Sequence, residues 1–177
     1  MAAYYTYLIT TLPALNFAGQ PPFSFNLFLE RCRELIPRAK TEFLSKLSLS
    51  AQPLPQDESN GLLKKWHAFD LTLRNELVKI RAARRKTDPK KYLRPDGFGD
   101  PAAYQMAMSA QRSTSLLESE RILDRYRWAF LEELNTGHYF DFEVLIIYAL
   151  KLLLLEKWLR IQGADKSQVM EGLFKEG

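Results

Sequence analysis

One cysteine, Cys32, and two histidines, His67 and His138, are all that this chain of 177 residues holds of the side chains that most often grip metals or attack substrates. A lone cysteine closes no internal disulfide, so the fold rests on a packed core. Its place in an apolar stripe marks it as a small buried hydrophobe rather than a catalytic thiol. The histidines stand about seventy positions apart with no metal-ligand spacing around either, so no metal site is expected. There is no glycine-rich phosphate loop, dinucleotide fingerprint or nucleophile elbow. No cofactor is expected, no catalytic residue stands out, and the chain reads as a non-enzyme.

A membrane span is missing too. The longest apolar stretch, Val144 to Leu155, is broken only by Lys151 and falls short of the ~20 residues that cross a bilayer core. Glu156, Lys157 and Arg160 follow it directly. The opening Met-Ala-Ala-Tyr-Tyr-Thr-Tyr lacks the basic region, apolar core and cleavage site of a secretory signal. A cytoplasmic protein, peripheral on the cytoplasmic side of a membrane complex at most, is therefore expected. Sustained alternation of apolar and polar residues, the mark of strands, is also absent.

What the chain does hold is helical periodicity. Phe25, Phe28, Leu29, Cys32, Leu35 and Ile36 recur at helical spacing behind Ser24, a natural cap, until Pro37 closes or kinks the run. A short piece with Phe43, Leu44 and Leu47 follows, and Ala51 to Asn60, with Pro53 and Pro55, reads as a linker. Leu62, Trp66, Phe69, Leu73, Leu77 and Ile80 then repeat at steps of four, three, four, four and three, a long helix with one buried seam. The aromatic segment Tyr4 to Ile9 reads as a short helix, with a strand as the alternative, and stops near Leu12-Pro13.

From Ser115 to Ile161 two long helical patterns meet at Asn135-Thr136-Gly137-His138. The first carries Leu116, Ile122, Leu123, Tyr126, Phe130 and Leu134; the second is apolar nearly all round and must be buried on several sides. A separate short helix is predicted from Asp165 through Val169, Met170, Leu173 and Phe174. The fold class is all-α: a helical bundle with a long C-terminal hairpin whose second helix is largely buried. A single domain spans 1–177, with a hinge or loop at 86–101, rich in turn signals, between an N-terminal lobe and the hairpin.

The net charge of +4 is unevenly spread. Lys79 to Arg94 holds eight basic residues and one acidic, Asp88, a local +7 that leaves the rest of the chain at −3. Within it Arg84, Arg85, Lys86, Lys90, Lys91, Tyr92 and Arg94 are the candidate partner-binding residues. Three fates suit such a run: a solvated helix end, a docking site for an acidic protein surface, or a nucleic-acid groove in which Tyr92 and Phe98 stack on bases. The last is the weakest, since no recognition-helix or single-strand module accompanies it.

Other polar groups have structural readings. Asp141 suits the amino-terminal cap of the second limb, where it would meet free backbone N–H groups, and His138 a loop or capping role beside Gly137. Glu132, Glu133, Asp141 and Glu143 lack the Glu-x-x-His pairs of a two-metal bundle site. Arg74 can reach Asp70 four residues back, as a surface pair. Alternatively Arg74 or Glu76 ties the long helix to the hairpin through a partly buried pair.

Several short motifs occur in an order that resembles a known family: Tyr4-Tyr5-x-Tyr7-Leu8 with Leu12-Pro13, Leu73-Arg74-Asn75-Glu76-Leu77, Lys91-Tyr92-Leu93-Arg94, Leu123-Asp124-Arg125 with Trp128, and Gly137-His138-Tyr139-Phe140. The resemblance is to an uncharacterised bacterial family encoded among V/A-type ATPase subunits, and it is most specific over Gly137 to Trp158. That family is in turn similar to a shortened form of the V/A-type ATPase socket protein, lettered C in bacteria and archaea and d in eukaryotes, which is all-helical and joins the central stalk to the membrane rotor ring. The resemblance implies a non-catalytic coupling or assembly role in ion transport, driven by protons or sodium. Its implied partners are central-stalk or rotor-ring subunits, with contact to an anionic membrane surface and self-association as further expectations. The full socket protein has three similar helical units and about twice this length, so one copy of this chain makes only part of such a socket.

Overall fold

The computed structural model describes residues 2–50, 60–95 and 99–175, with only the backbone described for 2–4 and 165–175. The chain is all-α. In order the elements are α1 (Ala2–Thr11), α2 (Phe25–Leu35), α3 (Arg38–Ser45), α4 (Gly61–Arg85), a 3-10 turn (Pro89–Lys91), α5 (Pro101–Arg112), α6 (Leu116–Leu134) and α7 (Phe142–Lys175). No helix among the described residues is long and apolar enough to cross a membrane. The linker expected around Pro53 and Pro55, the Asp96-Gly97 turn and Phe98 lie outside the described residues.

Two compact units divide the chain: Met1–Leu49 with Gly137–Gly177, and Ser50–Thr136. The boundary falls inside the break foreseen at 135–138, where Gly137 adopts a φ of +89° that a side chain would strain. The two limbs of the expected hairpin thus form α6 and α7 as read, but each belongs to its own unit. The segment 86–101 lies within the second unit.

In the first unit α7 packs on α1 and α2. Leu145, Ile146, Ile147, Ala149, Leu150, Leu152, Leu154, Leu155 and Trp158 are all buried, which makes α7 the largely buried helix its composition demands. Leu8, Phe28, Leu29, Cys32 and Leu44 join them. Burial pushes the Cys32 thiol up to about 12, so it stays protonated and inert, as its apolar stripe implies. Phe28 stacks on Tyr148 at 5.4 Å, and the Tyr148 hydroxyl donates to the Pro13 carbonyl at 3.1 Å.

The start of α2 is capped twice. Ser24 accepts from the Leu27 amide, and the Glu156 carboxylate of α7 accepts from the Phe25 amide at 2.7 Å, placing negative charge at the positive end of the helix. Where a separate terminal helix was expected, α7 instead runs unbroken for 34 residues. Gly163-Ala164-Asp165 resembles a stop and a new cap, yet no proline enforces a break there, and a helix tolerates one glycine.

The second unit is a three-helix bundle of α4, α5 and α6. Ala103, Ala107 and Ala110 of α5 form a thin seam against Leu73, Leu77 and Leu123, flanked by Ile80, Met106, Ile122 and Tyr126. At the other end of α4, Phe69 and Phe130 lie parallel with ring centroids 3.9 Å apart, and Trp66 stacks beside them. The helix starts follow capping chemistry: Asn60 for α4, Asp100 with Pro101 behind it for α5, and Ser115 for α6 each accept a first-turn amide.

Candidate functional site

The polar side of α4 is where the second unit departs from an ordinary amphipathic helix: Asp70, Thr72, Asn75 and Glu76 are all buried. Charged side chains are rarely buried without partners, because loss of hydration must be offset by ion pairing and hydrogen bonding. Each of these has one.

Asp70 is the hub. Its Oδ2 accepts from Arg74 Nε at 2.6 Å and its Oδ1 from Arg127 Nε at 2.7 Å, while Arg127 donates a second bond to Asp124 Oδ1 at 2.8 Å. Asp124 is 1% exposed and Arg127 7%, so this is a buried network that joins α4 to α6. Burial alone would raise the Asp70 carboxyl, but the charges of Arg127 and then Arg74 outweigh it and hold it below the ordinary carboxylate value. Arg127 mirrors this: burial lowers it, and Asp70 with Asp124 more than restores it.

A tie between the long helix and the first hairpin limb exists through Asp70 and Arg127, a pair the sequence does not single out. Arg74 braces Asp70 from within its own helix, and Glu76 pairs with Lys79 at 2.7 Å, also within α4. Arg127 escapes notice in the sequence because its partner Asp70, 57 residues away, leaves no spacing signal.

Asn75 sets the path of the basic segment. Its side-chain amide donates to the Arg94 carbonyl at 3.0 Å and accepts from the Arg94 amide at 3.1 Å, a closed two-bond clamp onto backbone 19 positions away. Upstream, α4 ends in a left-handed Lys86 (φ 53°), whose amide bonds Ala83 while the Thr87 amide reaches Ala82. That is a Schellman stop with lysine where glycine is usual. Asp88 then caps the 3-10 turn by accepting from the Lys90 amide.

A helix stop, a capped turn and a side-chain clamp together give residues 86–94 a defined course. Along it Arg84, Arg85, Lys86, Lys90, Lys91, Tyr92 and Arg94 are all exposed or partly so, Tyr92 by 63%. The two motifs Leu73-Arg74-Asn75-Glu76-Leu77 and Lys91-Tyr92-Leu93-Arg94, read separately in the sequence, meet at this clamp. The clamp itself is not visible in the sequence, since asparagine between Leu73 and Leu77 looks like any polar helix residue.

The remaining candidates serve structure. Asp141 Oδ1 accepts from the Val144 amide as the cap of α7, and Oδ2 pairs with His138 Nδ1 at 2.6 Å, so both predicted roles hold. His138, Asp141 and Glu143 bring ligand atoms within 4.8 Å of one another, but both Asp141 oxygens are already engaged, and the group reads as a helix start. Glu132 and Glu133 are exposed on α6, and His67 is half-buried on α4.

A family model described as "Protein of unknown function (DUF2764)" matches residues 97–176. The match takes in the whole of α5, α6 and α7, including Asp124, Arg127 and Trp158; α4, Asn75 and the basic segment lie outside it. No curated protein and no solved structure matches the chain.

Proposed function

We propose that this chain is a non-catalytic docking subunit or assembly partner of a rotary V/A-type ATPase, acting in the manner of the socket protein between central stalk and membrane rotor. The observation that carries the docking role is the exposed basic course of residues 84–94, held by the Asn75 clamp and the Lys86 stop. A surface that is positioned before contact loses less conformational entropy on binding than a free loop. The rotary assignment rests on the ordered motifs from Tyr4 to Trp158 and their resemblance to the ATPase-linked family.

On this reading Arg84, Arg85, Lys86, Lys90, Lys91 and Arg94 meet an acidic stalk surface or anionic headgroups, with Tyr92 among them. Exposed charges of this kind steer association and select partners, and their contribution falls with salt. The protein works on the cytoplasmic face, peripheral to the membrane, as several copies in place of the longer socket, as a reduced socket, or as an assembly factor.

The test is gentle solubilisation of native membranes, capture through a carboxy-terminal tag, and mass spectrometry after a moderate salt wash. Stalk and ring subunits recovered in fixed ratio are the expected result, with copy number read from the same experiment. Recovery of nucleic acid, with binding that falls steeply as added salt weakens the drive from counterion release, would replace the docking reading by a nucleic-acid one.

A further inference from the structure

Where α2 gives way to α3, the first unit carries a recess of about 440 Å³ lined by Arg33, Arg38, Thr41, Glu42 and Ser45. That volume lies in the range of sites that hold small molecules. The docking role uses none of these residues.

The groups around the recess are only partly closed on one another. Arg33, in the last turn of α2, is exposed and has no ion pair or hydrogen bond among the described residues. Arg38 pairs with Glu42 at 2.8 Å, but their side chains are 93% and 58% exposed, so the pair is weak and its guanidinium is easily redirected. Ser45 is occupied, donating to the Glu42 carbonyl at 2.8 Å.

Thr41 is the anomaly. It is 3% exposed, and its Oγ1 is buried with no hydrogen-bond partner among the described residues. A helical threonine usually returns its hydroxyl to the carbonyl one turn back. Here that carbonyl, Pro37, already accepts the amides of Lys40 at 2.9 Å and Thr41 at 3.2 Å. A buried hydroxyl without a partner from the protein calls for a water, an ion or a ligand.

We propose that this recess binds a small ligand through an oxyanion, a phosphate ester or a carboxylate, gripped by Arg33 and Arg38 and anchored by the Thr41 hydroxyl. Two guanidinium forks suit a planar or tetrahedral oxyanion, since each can donate two parallel bonds. Arg38 exchanges Glu42 for the ligand, and Glu42 remains exposed and hydrated. The Thr41 hydroxyl donates to the ligand, its χ1 having two wells open to it in a helix. Glu42, on the rim, repels an approaching anion, so Arg33 is the principal holder.

The experiment is isothermal titration of the full chain with inorganic phosphate and, separately, succinate, at ionic strength matched with chloride, beside melting curves of the free protein. Variants Arg33→Gln and Thr41→Val accompany the wild type. Saturable binding of either anion above the chloride control is expected, and the stronger of the two identifies the source of the oxyanion. Arg33→Gln should weaken it by about tenfold or more. Thr41→Val should weaken it by about fivefold while leaving the melting temperature unchanged or raised, because an orphaned hydroxyl is removed. Arg33 sits on the surface, so its variant tests the site even if Thr41→Val disturbs packing. Equal response to phosphate, succinate and chloride, or binding untouched by Arg33→Gln, overturns the proposal.

Discussion

The first unit is built around one apolar helix, whereas the second adds buried charge to an aromatic stack and a thin alanine seam. In the first, α7 offers Leu145 through Leu155 to its neighbours on almost every side, and aromatic rings of α1, α2 and α3 close around it. In the second, Ala103, Ala107 and Ala110 give α5 little apolar area, and the contact between α4 and α6 includes Asp70, Arg127 and Asp124. Apolar burial is graded and forgiving of small changes, whereas a buried ion network fails when any one member is removed. The unit that carries the basic segment is thus the one built to a specified arrangement.

Removing a charge from the network should distinguish the two units most sharply. Arg127→Ala leaves Asp70 and Asp124 buried without their main partner and should cost about 3–5 kcal/mol, read by chemical denaturation. Replacing Asp70, Asp124 and Arg127 together by apolar residues of similar volume should recover most of that loss. The first unit answers differently: Leu150→Ala should cost about 2–5 kcal/mol, and Leu150→Met less than about 1.5 kcal/mol, because volume rather than pairing is what matters there.

Acid provides a second way to tell them apart. Asp70 is held below its ordinary value in the fold, so its contribution is complete above about pH 4 and is lost as pH falls through that region toward the folded value. Stability of the wild type should fall over that interval, and the gap between wild type and Asp70→Asn should narrow with it. A constant gap from about pH 7 to about pH 3 would mean that the Asp70 network does not carry the contact between α4 and α6.

Smaller effects come from the edges of the basic segment. Asn75→Ala removes both bonds to Arg94 and should cost about 1–3 kcal/mol. It should also raise amide exchange at Leu93 and Arg94 without affecting α7. Lys86→Gly should stabilise by about 1 kcal/mol, because glycine takes the left-handed position freely. If Lys86 meets a partner, the same change weakens association, and stability and binding move in opposite directions.

How far the sequence discloses the fold follows the same division. Leu62, Trp66, Phe69, Leu73 and Leu77 are buried as their spacing predicts, and α7 is buried as its apolar run, broken only by Lys151, predicts. Both signals are local and periodic. The division at Thr136 and Gly137 is harder to foresee, because a short break between two apolar helices usually makes a packed hairpin and nothing local says that each limb has other neighbours. Lys86 hides a helix stop that glycine would have announced. Arg127 reads as a surface residue among Arg121 and Arg125, and only the fold brings Asp70 to it. The basic segment is plain from composition, while the clamp that positions it depends on one asparagine and a backbone 19 positions away.

The most direct test of the docking account is the affinity of the full chain for an isolated stalk and rotor-ring assembly at low salt, with and without Arg84→Glu, Arg85→Glu and Lys90→Glu combined. These side chains lie at the surface, so the melting temperature should hold. The account predicts a loss of affinity of about tenfold or more, shrinking as salt is raised. Unchanged affinity at low salt would contradict it.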